Sequence, residues 1–272
     1  MIEPKELLVS IVTPSFNQGR FLERTIQSVL EQDHPRIEYI VIDGGSTDNS
    51  IEVIKRYQSR INYWISEPDK GQTDAINKGF TRAQGEIIAW INSDDTYNPG
   101  AFSQAVAFLE HHPEYAGVYG DADFIDDNDQ IIGRFPAAQT TYFKLRRGYV
   151  HIPQQTFFFR KSFWERIAPL DISFHFAMDY DLWVRLTKLA PVKYLPGKKW
   201  ANFRLHPDSK TILSDVECWP EMLRVHYREG GKWFAPIVFK SQLRRLVAPI
   251  LTLRRNSMLR SKVGDSIHGK FQ

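Results

Sequence analysis

The sequence predicts an α/β fold: a mainly parallel open sheet flanked by helices, then a smaller mixed region and C-terminal helices. Three observations carry that expectation. Short apolar runs rich in β-branched residues alternate with stretches of helical period from Leu7 to His111. The alternation weakens after residue 115. The fourth apolar run, IIAWI, ends abruptly in NSDD, which sets Asp94 and Asp95 where an open α/β sheet binds its ligands, beyond the carboxyl ends of the strands. Two carboxylates there suit a hard cation and a phosphate, so the segment predicts a metal and nucleotide site.

Each element follows from its residues. LLVSIVT, Leu7 to Thr13, is a buried strand that stops at Pro14, and Gly19 to Gln32 places Phe21, Leu22, Ile26, Val29 and Leu30 at helical spacing. Ile37 to Ile42 is the second strand, closed by DGGSTDNS, where Asp48 is positioned to cap a helix running through Tyr57. The pattern repeats as strand 61–65, helix 73–83, strand 86–91 and a helix 99–111 that opens on Pro99. Beyond it, 115–120 reads as a strand, 122–135 as a hairpin turning at DDND, and 155–159 as an aromatic-rich strand. Helices are expected at 161–167, 178–189, 215–229 and from 234 to about 260, with edge strands at 192–195 and 200–205.

Composition narrows the class. The chain has 272 residues, with 42% hydrophobic, 25% charged and 13% aromatic, the balance of a globular protein that folds over most of its length. One cysteine, Cys218, excludes an intramolecular disulfide and a cysteine-based metal cage, which fits a reducing compartment such as the cytoplasm. The first residues, MIEPKELLVSIVTPS, lack the pattern of a secretion signal, and no run reaches the roughly 18 apolar residues of a membrane span. A net charge of +3 gives no reason to expect a nucleic-acid partner. The charge is unevenly spread: Lys240, Arg244, Arg245, Arg254, Arg255, Arg260 and Lys262 occur with no intervening acid.

Three acidic sites are candidates for chemistry: Asp43 after the second strand, Asp94 with Asp95 after the fourth, and Asp179 at the start of a later helix. Each has a plainer reading. Asp43 before Gly44 and Gly45 also suits a turn, Asp94 and Asp95 a solvated loop, and Asp179 with Asp181 the acidic first turn of a helix. On residues alone, these alternatives stay open.

Read together, VSIVTPSFNQGRFLERTIQSVLEQ, IEYIVIDGGSTDNSIEVI, SEPDKGQTDAINKGF, GEIIAWINSDD and FAMDYDLWVRL resemble the successive motifs of family 2 glycosyltransferases. The resemblance runs from about Val9 to Leu189 and implies the GT-A fold, a Rossmann-like sheet. It implies a nucleotide-diphosphate sugar donor held by Thr13, Pro14, Ser15, Asn17, Asp43, Asn92, Ser93 and Asp94, with Asp43 bonding the base. It also implies a divalent metal ion, Mn or Mg, at Asp94 and Asp95, and Asp179 as the base of a single inverting displacement. Two departures stand out: Asn92 occupies a position often held by aspartate, and Met178 precedes the base where Glu is common, which leaves Asp181 as a reserve.

The resemblance further implies an acceptor-side wall at HIPQQTFFFR, where His151, Gln154 and Gln155 suit sugar hydroxyls; the plainer reading is a loop end before core phenylalanines. RLHPDSKT groups Arg204, His206 and Lys210 as a lid or diphosphate clamp, or as a solvated basic loop. The tail from Phe234 to Lys262 interleaves apolar residues with arginines and suits either peripheral contact with an anionic membrane carrying a lipid-linked acceptor, or packing on the domain.

The expected organisation is a catalytic domain over 1–212, with a donor half at 7–120 and an acceptor half at 121–212, and a basic helical extension over 213–272. The expected function is sugar transfer to a glycan or lipid-linked acceptor in cell-surface polysaccharide biosynthesis, at the cytoplasmic face of the membrane. The main rival is a binding protein of the same fold that has lost turnover. A nucleotidyltransferase or dinucleotide enzyme ranks lower, because no GxGxxG or P-loop follows the first strand.

Overall fold

Side-chain alternation along the central strands builds the core on both faces of one sheet. The structure, a computed structural model, describes residues 6–206, 209–210 and 217–246. Strand β1 (Val9–Ser15) lies between β2 (Ile37–Asp43) and β4 (Ile87–Trp90), parallel to both, and β3 (Tyr63–Ser66) adds in parallel to β2. Val12, Ile40, Ile42, Ile88 and Trp90 point to one face, and Ile11, Val41, Ile87 and Ala89 to the other. The period of two makes a run of consecutive apolar residues fit a strand covered on both sides.

Helices cover the two faces. α1 (Gly19–Leu30), α2 (Ser50–Tyr57) and α4 (Ala101–His111) bury Leu22, Ile26, Val53, Ile54, Phe102 and Leu109 on one side. α3 (Gln72–Arg82) and α7 (Met178–Leu189) bury Ile76, Phe80, Leu182, Trp183 and Leu186 on the other. α3 approaches β1 so closely that a Cβ on Gly79 would fall 2.4 Å from Val12 Cγ1. Asp48 ties two helix starts together, accepting the N–H of Ser50 and of Gly19, each at 2.9 Å. α4 begins two residues later than Pro99 suggested, because Gly100 takes a left-handed φ of 82° at its N-cap.

The second half makes the sheet mixed. The strand order is β3-β2-β1-β4-β8-β6-β9-β5, with β7 (Ile131–Arg134) paired on β6 (Gly117–Ile125) as the expected hairpin. β8 (Phe158–Arg160) runs antiparallel to both β4 and β6, and a short 3-10 turn, Gln154–Thr156, precedes it. The two edge strands expected at 192–195 and 200–205 are one strand, β9 (Val192–Arg204), inside the sheet between β6 and the two-residue β5 (Thr96–Tyr97). Pro196 and Gly197 do not break it: register shifts around Asp121 absorb them, and Asp121 accepts the Gly197 N–H at 2.8 Å. Short helices α5 (Tyr142–Leu145) and α6 (Lys161–Trp164) complete this half. α8 (Cys218–Arg228) follows, and its Met222 and Val225 join Ile237 in the cluster that buries α7.

Candidate active site

Because β1, β2 and β4 are parallel, their carboxyl ends share one rim, and the order reverses at β1. A cavity of about 520 Å³ opens there, lined by Pro14, Ser15, Asp69, Gln72, Asn92 and Asp94 among others. Ser15 is buried at the wall, and its Oγ makes no hydrogen bond within the protein.

The remaining residues expected at this rim shape it from behind. Thr13 is fully buried, its hydroxyl 3.1 Å from that of Tyr39. Asn17 takes a φ of 51° and accepts the Thr47 N–H at 2.8 Å, locking two loops together. Asp43 is wholly buried, and its carboxylate accepts the N–H groups of Gly45 and Ser46 and the hydroxyls of Ser46 and Ser66. These bonds fold the DGGS loop, and Gly44 and Asp69 line the cavity beside it.

The adjacent acids separate. Asp94 lines this cavity with its Oδ2 3.1 Å from His206 Nε2. Asp95 turns inward, fully buried, and accepts from Arg204 N–H at 2.8 Å, Gln155 Nε2 at 2.8 Å and Asn92 Nδ2 at 3.1 Å. Burial, then the neighbouring Asp94, pushes the Asp95 carboxyl well above the usual range. Both Asp95 carboxylate oxygens thus accept hydrogen bonds from within the protein.

Arg204 turns inward too. Its guanidinium is fully buried over the Phe21 ring and donates to the carbonyls of Asp94 and Asp126 and to Asp129 Oδ1. It braces the Asp94 loop from behind. His206 and Lys210, by contrast, stand at the site: His206 against Asp94, and Lys210 on the cavity wall with its Nζ 3.1 Å from Gln72 Oε1.

One carboxylate oxygen and one imidazole nitrogen form a donor pair that would suit Mn better than Mg, which takes oxygen ligands, with diphosphate oxygens and water completing the shell. Among the described residues no group of three or more His, Cys, Asp or Glu side chains forms a closed cage. Asp94 and His206 are therefore the residues that would hold the ion, which suits a metal shared with a bound diphosphate.

A second cavity of about 460 Å³ adjoins the first, and the two share Gln72, Asn92, Phe203 and Lys210 as lining. Asp179 lines it from the first turn of α7, and desolvation pushes its carboxyl up to about 6. Gln154 and Gln155 line it as expected, Gln154 holding the Trp90 carbonyl at 2.8 Å and Gln155 leaving its Oε1 without a partner. His151 does not: its flanking residues Val150 and Ile152 line the cavity, while its Nδ1 lies 3.0 Å from the Pro136 carbonyl oxygen.

Residues 10–178 match the family model described as Glycosyl transferase family 2, more than half of the chain. The chain belongs to glycosyltransferase family 2. A glycosyltransferase of Mycobacterium tuberculosis, Rv1514c, is 34% identical over 183 residues, which cover 65% of this chain and 68% of the relative. TuaG of Bacillus subtilis, described as a teichuronic acid biosynthesis glycosyltransferase, is 36% identical over 105 residues, 38% of this chain and 42% of its own. Among solved structures, S. aureus TarS 1-349 in complex with UDP superposes with a TM-score of 0.66 at 17% identity, covering 87% of this chain and 71% of that one. The mannosyltransferase PcManGT of Pyrobaculum calidifontis, solved with GDP-Man and Mn2+, gives 0.63 at 17% identity, covering 96% and 76%. The shared architecture is the GT-A fold.

In this glycosyltransferase the two departures from the family pattern acquire a physical setting. Asn92 accepts from Gln72 Nε2 at 2.6 Å while donating to Asp95, so an amide does what a carboxylate there would not: it satisfies an acid and an amide donor together. Met178 is buried beside Asp179 and lines the same cavity, an apolar neighbour for a carboxyl whose affinity for protons is set by desolvation. Gln72, Asp69 and Phe203 escaped the sequence reading. Asp69 and Gln72 both lie inside the SEPDKGQTDAINKGF motif, where nothing in the spacing announces a place on the cavity wall or a bridge to Asn92.

Proposed function

We propose that this enzyme moves a sugar from a nucleotide-diphosphate donor to a hydroxyl of a glycan or lipid-linked acceptor, with inversion, in cell-surface polysaccharide biosynthesis. One observation carries the reading: the Asp94–His206 cavity and the Asp179 cavity meet across Gln72, Asn92, Phe203 and Lys210. A donor in the first presents its anomeric carbon toward the second. Asp179 takes the proton of the acceptor hydroxyl as its oxygen attacks from the face opposite the leaving diphosphate. A single base on the acceptor side suits one direct displacement with no covalent intermediate. The metal, when bound, neutralises charge building on the diphosphate. Lys210 adds a cation where the cavities join.

The relatives support the substrate classes. TarS has been solved with UDP and with UDP-GlcNAc and PcManGT with GDP-Man, while TuaG is assigned to teichuronic acid synthesis.

A cytoplasmic site at the inner face of the membrane is part of the proposal. Residues 236–246 are helical, and Phe239, Leu243 and Leu246, spaced along one face, are 59%, 62% and 76% exposed, beside Trp233 and Phe234. Lys240, Arg244 and Arg245 flank that stripe, and each cation near an anionic surface contributes about 1 kcal/mol. The rest of the basic tail, 247–272, lies outside the described residues. No described helix is long and apolar enough to cross a membrane.

Incubation with a panel of UDP-, GDP- and dTDP-sugars tests the chemistry. Manganese-dependent release of nucleoside diphosphate from one donor, lost in Asp94→Ala, supports the reading, and no release from any donor overturns it. Flotation with anionic liposomes tests the location: failure of the full chain to float removes the membrane.

A further inference from the structure

The helix that carries Asp179 begins against a carboxylate from another element. Glu221, on α8, accepts three consecutive backbone N–H groups: His175 at 2.9 Å through Oε1, and Phe176 and Ala177 at 2.8 Å each through Oε2. Ala177 is the N-cap of α7 and offers no side-chain cap of its own. A helix start leaves N–H groups without partners and carries a partial positive charge, and an anion there satisfies both. Here the anion comes from 44 to 46 residues away, so it fixes where α7 starts as well as capping it. Asp179 is the second residue of α7, and a shift at this end moves its carboxylate relative to the acceptor cavity.

We propose that Glu221 is a positioning residue for sugar transfer, setting both the placement and the proton affinity of Asp179 through the start of α7. The proposal rests on Asp179 being the base.

The charges around Asp179 are consistent with this second role. Burial raises its carboxyl to about 6; Lys210 opposes that rise and Glu221 adds to it. Lys210 is itself pulled down by burial and held up by Glu221 and Asp179. Among the described residues, the other titratable groups on this cavity are His175 from the preceding loop, Tyr180 from α7 and Cys218 from α8. Against Lys210, Glu221 thus acts on Asp179 in the opposite sense. Neutralising it leaves Lys210 to act on Asp179 unopposed.

The test compares Glu221→Gln, Glu221→Asp and Asp179→Asn with the wild-type enzyme, using the donor found active above. Glu221→Gln keeps the shape but loses the charge and turns an N–H donor toward N–H donors. Its kcat should fall about tenfold while donor KM stays within about twofold. The acid limb of its pH–rate profile should move to lower pH, on the order of half a unit. Glu221→Asp keeps the charge and shortens the reach, so its kcat should fall with the acid limb in place. This second variant stands in if the Gln form does not fold. A wild-type kcat in either variant, or an unmoved acid limb in a folded Gln variant, overturns the proposal. Asp179→Asn separates this from the parent reading: if it transfers sugar at the wild-type rate, the base assignment is what has failed.

Discussion

Asp94 and Asp95 are neighbours in the chain and opposites in environment: the first faces the donor-side cavity against His206, the second is sealed beneath it by Asn92, Gln155 and the Arg204 backbone. Equal chemistry in sequence becomes divided labour in space. Asp94→Ala should cut transfer by about 10²- to 10³-fold and abolish manganese dependence with the melting temperature kept. Asp95→Asn should instead destabilise the fold by roughly 2–5 kcal/mol, because its new amide meets three buried donors. Thermal melts and metal titrations on both variants check the division, and a stable, metal-responsive Asp94→Ala would contradict it.

Arg204 is a brace, and its loss should register as stability. Arg204→Met takes the Arg204 donor from the Asp94 carbonyl and one of two arginine partners from Asp129, which keeps Arg24, at a cost of about 1–3 kcal/mol. Urea unfolding measures this directly; a midpoint within error of wild type would return Arg204 to the lid or diphosphate clamp, or the solvated loop, first expected.

Lys210 and His206 should behave differently from Arg204. Lys210→Ala or His206→Ala should raise donor KM or lower kcat several-fold, with unfolding little changed for Lys210. Steady-state kinetics decide, and unchanged constants in both variants would remove the diphosphate clamp.

Asp179 links activity to stability. Its carboxyl, raised from 3.8 to about 6 chiefly by burial, must be ionised to act as a base, so kcat/KM should rise through an apparent pKa near 6. The folded protein holds that proton more tightly than the unfolded chain. The resulting stabilisation is full below pH 3.8 and is lost as pH rises through about 6. Asp179→Asn should therefore be more stable than wild type at pH 8, by roughly 1–3 kcal/mol, with no comparable gain at pH 4. Denaturation at the two pH values tests the sign.

Gly79→Ala should destabilise the enzyme despite a better helix propensity. The added methyl meets both Val12 methyl carbons, at 2.4 and 2.7 Å, in the packed layer between α3 and β1. Overpacking of this kind costs about 1–3 kcal/mol, against roughly 1 kcal/mol gained from propensity. A lower melting temperature is expected, and an equal or higher one would mean that the layer gives way.

The donor half was the readable part of this fold. IEYIVID and IIAWI each present consecutive apolar residues to opposite faces, and LERTIQSVL one apolar stripe, so period and length assigned each segment before any contact was known. The acceptor half was harder, because β9 runs through Pro196 and Gly197 and reads as two pieces until Asp121 is seen holding the bulge.

Sequence by itself determined the fold class, the family and the segments that supply the site, because these rest on local periodicity and ordered motifs. Tertiary structure alone decided that Asp43, Asp95 and Arg204 face inward, that Asp94 and Asp179 open into joined cavities, and that Glu221 caps α7. The reason is physical: a carboxylate's role depends on which donors reach its oxygens and how much water remains, and a residue 109 positions away supplies one of those donors to Asp95.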